Sequence, residues 1–236
     1  MRHAYLIMAH DQPEVLKSLL LCLDHRDNDV FVHLDKKSDL KKESFYGLMN
    51  FGKLIFTERL SVMWGGYSQI RAELLLLKRA LEFEQHDYYH FLTGVDLPVC
   101  PITDINDLFL CNKGYEFVHF VDKESANANY EGRFLYRHYF RELCGRKKNF
   151  FTVLNRLGIG LQKMLKHRNR SISMEQFQLG SAYWDITEEL AKYILYNEKL
   201  IERAFKNTNC CDEVFIQTLI WNSPYRKRLW KPYLNL

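Results

Sequence analysis

Four short clusters in this 236-residue chain hold residue types that could do chemistry. The first, Val62-Met63-Trp64-Gly65-Gly66-Tyr67-Ser68, sets paired glycines and aromatics ahead of an apolar helical pattern. Such a turn gives close backbone approach and a stacking surface. The second, Leu92-Thr93-Gly94-Val95-Asp96-Leu97-Pro98, ends an apolar run with a carboxylate shortly before a proline. The third runs from Leu179 to Thr187 and places Gly180, Ser181, Ala182 and Tyr183 ahead of a helix capped by Thr187 or Asp185. The fourth, Cys211-Asp212-Glu213-Val214-Phe215-Ile216-Gln217-Thr218-Leu219, opens an apolar helix with two acids. Each cluster also has a plain structural explanation. The glycines suit a loop-to-helix entry, and first-turn acids favour the helix dipole.

Other chemistries find less support. There is no Walker phosphate loop and no G-x-G-x-x-G, and Gly158-Ile159-Gly160 neither follows an expected strand nor has the third glycine. Asp27-Asn28-Asp29 could hold a divalent metal on a diphosphate. It precedes the second expected strand, at the edge opposite the ligand side, and reads as turn chemistry. A metal-dependent use of Asp27 and Asp29 stays open as an alternative. His33, His90 and His119 fall within strand runs and read as core histidines. The six cysteines form no Cys-x-x-Cys pair and match no zinc spacing, so they read as reduced thiols. Adjacent Cys210 and Cys211 would be redox-active only if exposed and low in pKa.

The elements that must position these clusters alternate between strand and helix. Apolar runs at Tyr5–Ala9, Val30–Leu34, Leu54–Phe56, Tyr88–Leu92 and Glu116–Val121 predict strands. Helical periodicity follows Pro13 and recurs over Tyr67–Glu84 and Ile105–Leu110. Alternation of this kind predicts an α/β fold with a mostly parallel sheet flanked by helices, here as a single domain over residues 1–236. Ligands in such sheets sit beyond the strands' carboxyl ends, where Ala9-His10-Asp11-Gln12, Asp35-Lys36-Lys37 and Thr93–Asp96 fall. With 47% hydrophobic residues, 11 Gly and 5 Pro, the chain is neither disordered nor collagen-like. A net charge of +4 is too mild to indicate a nucleic-acid partner. No apolar run reaches bilayer-spanning length, and the N-terminus reads as a first strand rather than a signal peptide. The expected location is cytoplasmic.

Taken together, in this order and spacing, the motifs resemble one family. They are Ala4–His10, Val32-His33-Leu34-Asp35-Lys36-Lys37-Ser38, Trp64-Gly65-Gly66-Tyr67-Ser68, Thr93–Pro98, Gly180-Ser181-Ala182-Tyr183 and Asp212-Glu213. The chain resembles the metal-independent inverting glycosyltransferases that include core-2 β-1,6-N-acetylglucosaminyltransferases and peptide O-xylosyltransferases. That resemblance implies a GT-A-type fold, a UDP-sugar donor, a saccharide acceptor, no metal and no other cofactor. It assigns Glu213 as general base, and His10, Asp35, Trp64, Gly65, Gly66, Asp96 and Ser181 to the donor. Glu131, Arg133, Arg137 and Tyr183 fall to the acceptor. Without a metal, cations must offset the charge of the departing UDP. The basic residues after Glu213 are Arg226, Lys227, Arg228 and Lys231, of which Arg226, Arg228 and Lys231 are the diphosphate candidates. A non-catalytic sugar- or nucleotide-binding protein that keeps the fold is the other reading.

Segment 131–170 departs from the rest. It holds eleven basic residues against Glu131 and Glu142, a net +9 that leaves −5 for the remainder of the chain. Phe150, Phe151, Leu154, Leu157, Leu161 and Leu165 recur within it at near-helical spacing. The segment is expected to be a basic amphipathic insertion. Its apolar face either packs on the sheet or contacts an anionic membrane from the inner side, as suits a lipid-linked acceptor.

Overall fold

A computed structural model describes residues 1–121, 132–144, 149–169 and 176–230. The chain begins with β1 (His3–Ala9), α1 (Pro13–Leu23), β2 (Asn28–Leu34) and β3 (Lys53–Phe56). Then come α2 (Tyr67–Phe83), β4 (Tyr88–Thr93), α3 (Ile102–Cys111) and β5 (Phe117–Val121). Three helices, α4 (Gly132–Leu135), α5 (Arg141–Cys144) and α6 (Phe150–Met164), precede β6 (Leu179–Thr187). Last are α7 (Glu188–Tyr196), α8 (Glu198–Phe205) and α9 (Phe215–Trp221). The sheet has six strands in the order β3-β2-β1-β4-β6-β5. β1 is parallel to β2 and β4, β2 is parallel to β3, and β4 pairs with β6 in the antiparallel sense. The expected α/β class with a mostly parallel sheet is present.

These elements gather into two compact units that alternate along the chain. The first comprises Met1–Ser61, Ala72–Phe117 and Tyr183–Leu195. All seven residues of β2 are buried, as a parallel strand covered on both faces requires. Pro13 starts α1 at a position where a missing N–H costs nothing. Leu16, Leu19, Leu20 and Leu23, at helical spacing, press against Tyr5, Ile7, Val30, Val32 and Leu34. Each such leucine contributes about 1.5–3 kcal/mol by leaving water. Polar groups brace the unit as well. Asp29 at the start of β2 takes Arg2 at 2.5 Å, His86 at 2.9 Å and the Lys53 N–H at 3.1 Å.

The second unit comprises Val62–Arg71, Val118–Ala182 and Tyr196–Leu236. Its middle is α9, whose residues Phe215 to Ile220 are all buried. Around it an aromatic chain runs from Phe134 to Phe177 (4.9 Å between ring centres), Phe205 (5.9 Å) and Phe215 (6.5 Å).

The Leu179–Thr187 stretch is a nine-residue strand that leads into α7 as expected, with the Thr187 hydroxyl accepting the Leu190 N–H at 3.4 Å. Three expectations are corrected. His119 is exposed on β5, whereas His33 and His90 are buried as expected. Asn28 and Asp29 lie inside β2, so the Asp-x-Asp is only in part a turn. Of the apolar stripe along α6, Phe150, Leu157, Leu161 and Leu165 are exposed instead of packing on the sheet, while Phe151 and Leu154 are half-buried.

Candidate active site

Within the second unit, Asp212 and Glu213 occupy the turn that enters α9. Because α9 is buried, the position of this turn is fixed by the core. The Glu213 carbonyl accepts the Gly180 N–H at 2.9 Å, and its Oε2 accepts Arg133 Nη1 at 3.0 Å. The Glu213 side chain is 44% exposed, so the carboxylate is both oriented and open to a reactant. Asp212 accepts Gln69 Nε2 at 3.1 Å. Burial, and then the neighbouring Glu213, push its carboxyl up to about 6.

Gln69 links the acids to the glycine turn. Its side-chain carbonyl accepts the Gly65 N–H. Gly65 has a φ of +70°, which a side chain resists. The Gly65 carbonyl accepts the Cys210 N–H at 2.9 Å and Arg141 Nε at 3.2 Å. Arg141 also donates to the Trp64 carbonyl, with its guanidinium 5.4 Å from the half-exposed Trp64 ring. Glu142 accepts the Ser68 N–H at 2.9 Å and the Ser68 hydroxyl at 2.7 Å, passing within 2.7 Å of where a Gly66 side chain would begin. Ser181 joins through its carbonyl, which accepts Gln217 Nε2 from α9 at 2.6 Å. Thus Trp64, Gly65, Gly66, Ser181, Arg133 and Glu213 share one bonded network. Gln217, from the fourth cluster, completes it with Gln69, Arg141 and Glu142, which were not singled out from the sequence. Gln69, three residues past Gly66 at a helix start, carried a capping signal; Arg141 and Glu142 carried none.

Arg137 is placed differently. Its guanidinium donates to the carbonyls of Lys206 (2.7 Å) and Arg203 (3.3 Å), where it caps the end of α8. It lines a cleft of about 330 Å³ with Lys199, Glu202, Arg203, Lys206 and Asn207. Arg226 stacks on Trp221 at 3.4 Å and Arg228 lies 5.3 Å from the Tyr225 ring. Glu131 and Lys231 lie outside the described residues.

The first unit holds a second group at the carboxyl ends of its parallel strands. Asp96 accepts the Thr93 N–H (2.7 Å) and hydroxyl (2.9 Å), while its other oxygen accepts the Tyr183 hydroxyl at 3.3 Å. Burial raises the Tyr183 phenol. Asp35, just past β2, accepts the Lys37 N–H at 2.8 Å, and its carbonyl accepts Arg59 at 2.6 Å. His10, beyond β1, is exposed and lies 3.4 Å from Asp11. Register pairs Ala9 with Leu34 and Met8 with Thr93, so His10, Asp35 and Asp96 follow adjacent strand ends. Among the described residues no group of three His, Cys, Asp or Glu side chains is placed to hold a metal ion.

A model of the family described as Core-2/I-Branching enzyme matches residues 3–233. Xylosyltransferase sqv-6 of Caenorhabditis briggsae is 23% identical over 222 residues, which cover 87% of this chain and 24% of that protein. Xylosyltransferase sqv-6 of Caenorhabditis elegans is 24% identical over 216 residues, covering 84% and 25%. The chain spans about a quarter of the length of these relatives. Among solved structures it is similar to S. aureus TarS 1-349, at 14% identity and a TM-score of 0.34 over 86% of this chain and 66% of that one. A longer S. aureus TarS structure matches at 15% identity and a TM-score of 0.37, over 57% and 24%. With a family model covering nearly its whole length, the chain belongs to the Core-2/I-Branching enzyme family.

Proposed function

We propose that this chain is an inverting glycosyltransferase that moves a sugar, N-acetylglucosamine or xylose, from a UDP-sugar to a saccharide hydroxyl. The carrying observation is the Glu213 carboxylate, half-exposed yet oriented by Arg133 and fixed through Gly180. A sugar hydroxyl is a poor nucleophile near neutral pH and needs a base as its bond forms. The acceptor oxygen attacks the anomeric carbon on the face opposite UDP. As the new C–O bond forms, the bond from that carbon to the phosphate oxygen breaks. Glu213 takes the hydroxyl proton, and UDP leaves with the electron pair, so an α-linked donor yields a β-linked product.

The remaining roles follow the family motifs. Trp64, Gly65 and Gly66, with His10, Asp35, Asp96 and Ser181, serve the donor. Arg133, Arg137, Tyr183 and Glu131 serve the acceptor, with Arg133 also orienting the base. The exposed guanidinium groups of Arg226 and Arg228, with Lys231, offset the charge on the leaving diphosphate. A metal-free reaction is favoured because Asp29 is already bound by Arg2, His86 and the Lys53 N–H.

A screen of UDP-sugars and saccharide acceptors for UDP release tests the reading. Glu213→Gln should lower turnover by about 10²–10⁴-fold while UDP affinity, measured by calorimetry, stays within about twofold. Substantial turnover in that variant removes Glu213 as the base. EDTA should leave the rate unchanged; loss of activity would point instead to a metal on Asp27 and Asp29. Wild-type chain that binds UDP but turns over no donor would mark a binding protein.

A further inference from the structure

Helix α6 faces the wrong way for one that packs on a protein core. Its inward side is mixed: Phe151 stacks on Phe140 at 6.3 Å and Leu154 is half-buried, while Gln162 accepts the Arg137 N–H and donates to the Arg137 carbonyl, both at 2.9 Å. Asn155 bonds the His138 ring at 3.2 Å and accepts the Phe140 N–H at 3.4 Å. Asn149 and Thr152 close a capping box at its start. These bonds set the helix rotation, and Gln162 is its one buried side chain.

The outward side is apolar. Phe150, Val153, Leu157, Leu161 and Met164 recur at helical spacing and form a single stripe, which Leu165 extends. Phe150 is 70% exposed, Leu157 65% and Met164 73%. Such a stripe on a soluble chain marks an interaction surface. Its shape is one convex helix ridge, and its surroundings are basic. Arg156 and Lys163 lie along one flank, Lys166 and Arg168 follow the last turn, and all four are exposed. Residues 149–169 contain no Asp or Glu.

We propose that α6 docks lengthwise into the headgroup region of an anionic phospholipid bilayer. The apolar stripe enters the boundary with the acyl chains, and Arg156, Lys163, Lys166 and Arg168 meet the phosphates. Charge selects this occupant. A second copy of the chain would set one positive ridge against another, whereas an anionic lipid surface is opposite in sign and flat enough for a convex helix.

The test is sedimentation of the full chain with vesicles of equal parts phosphatidylglycerol and phosphatidylcholine, against pure phosphatidylcholine. Anionic vesicles should bind the chain, neutral ones should bind it at least about tenfold less, and high salt should release it. Leu157→Glu with Leu161→Glu, and separately Arg156→Gln with Lys163→Gln, should each weaken binding about tenfold or more. All four positions are exposed, and an unchanged thermal midpoint checks that the variants fold. Leu161→Trp should show a blue shift in its fluorescence on anionic vesicles only. The proposal fails if neutral and anionic vesicles bind alike, if neither binds, or if the glutamate pair binds like wild type. It also fails if the chain self-associates in solution through contacts that the glutamate pair abolishes.

Discussion

Glu213 is gripped in two unlike ways, and the difference separates orientation from placement. Its backbone is fixed by Gly180 and by the buried α9, while its carboxylate is aimed by Arg133 alone among the contacts described for it. Removing the guanidinium should therefore leave the turn in place and free the carboxylate to rotate. Arg133→Ala is expected to lower kcat about tenfold with the donor KM unchanged, a loss of roughly 1.4 kcal/mol in the transition state. Arg133→Lys should recover part of it, since an ammonium keeps the charge but not the planar fork. A raised acceptor KM at constant kcat would make Arg133 a binding residue instead of a positioning one. Residue chemistry also settles Cys210 and Cys211. Burial raises both thiols and outweighs the opposing hydrogen bond between Cys211 and the Thr208 hydroxyl at 2.7 Å, so the thiolate that redox exchange needs is disfavoured.

Among the elements, what could be read from the sequence divides by whether local pattern or tertiary context decides. Helices α1 and α2 declare themselves through leucines at helical spacing, β1 through an apolar run, and β2 and β4 through apolar runs interrupted by a single histidine each. Strand β6 does not, because Gly180, Ser181, Ala182 and Asp185 are poor strand formers; its place beside β4 and β5 makes it one. The periodicity of α6 is legible, but its rotation is set by Gln162 and Asn155 bonding to residues 137–140, which no local pattern reports. The motif residues of the site were likewise legible, whereas Arg141 and Glu142, which hold the glycine turn from another helix, were not. Two glycines test how far context rules. A methyl group on Gly180 would fall 1.8 Å from the His119 carbonyl, a backbone atom held within the sheet. On Gly66 it would meet first the Glu142 carboxylate, the far end of a flexible side chain, at 2.7 Å. Gly180→Ala should cost about 3 kcal/mol of stability, and Gly66→Ala under about 1 kcal/mol, as read by urea unfolding. The reverse order would show that β5 yields more easily than the Glu142 clasp.

At the scale of the whole molecule, acid acts unequally on the two units. The first unit buries His3 and His33 away from water, and desolvation lowers them to about 2 and about 4, from an ordinary 6.5. His3 also feels His90, its hydrogen-bond partner at 2.9 Å, and His33 accepts the Leu60 N–H at 2.9 Å. Unfolded histidines bind protons below pH 6.5 while these folded ones stay neutral. Their contribution is complete above pH 6.5 and drains as the pH falls toward 4. Two such groups cost about 2.7 kcal/mol per pH unit, or roughly 4 kcal/mol from pH 6.5 to 5. In the second unit the signs oppose. Burial lowers His138, but Asp212 is raised to about 6, so it holds a proton when folded that an unfolded aspartate releases above 3.8. That term strengthens the unit as pH falls through 6 and offsets the histidine. Hydrogen exchange at pH 7 and pH 5, corrected for the intrinsic rate, should thus show β1, β2 and β4 losing protection while α9 keeps its own. His33→Gln, which retains an acceptor for the Leu60 N–H, should reduce the acid slope of the first unit by about one proton. Equal loss in both units, or a slope unmoved by His33→Gln, would place the acid sensitivity elsewhere in the chain.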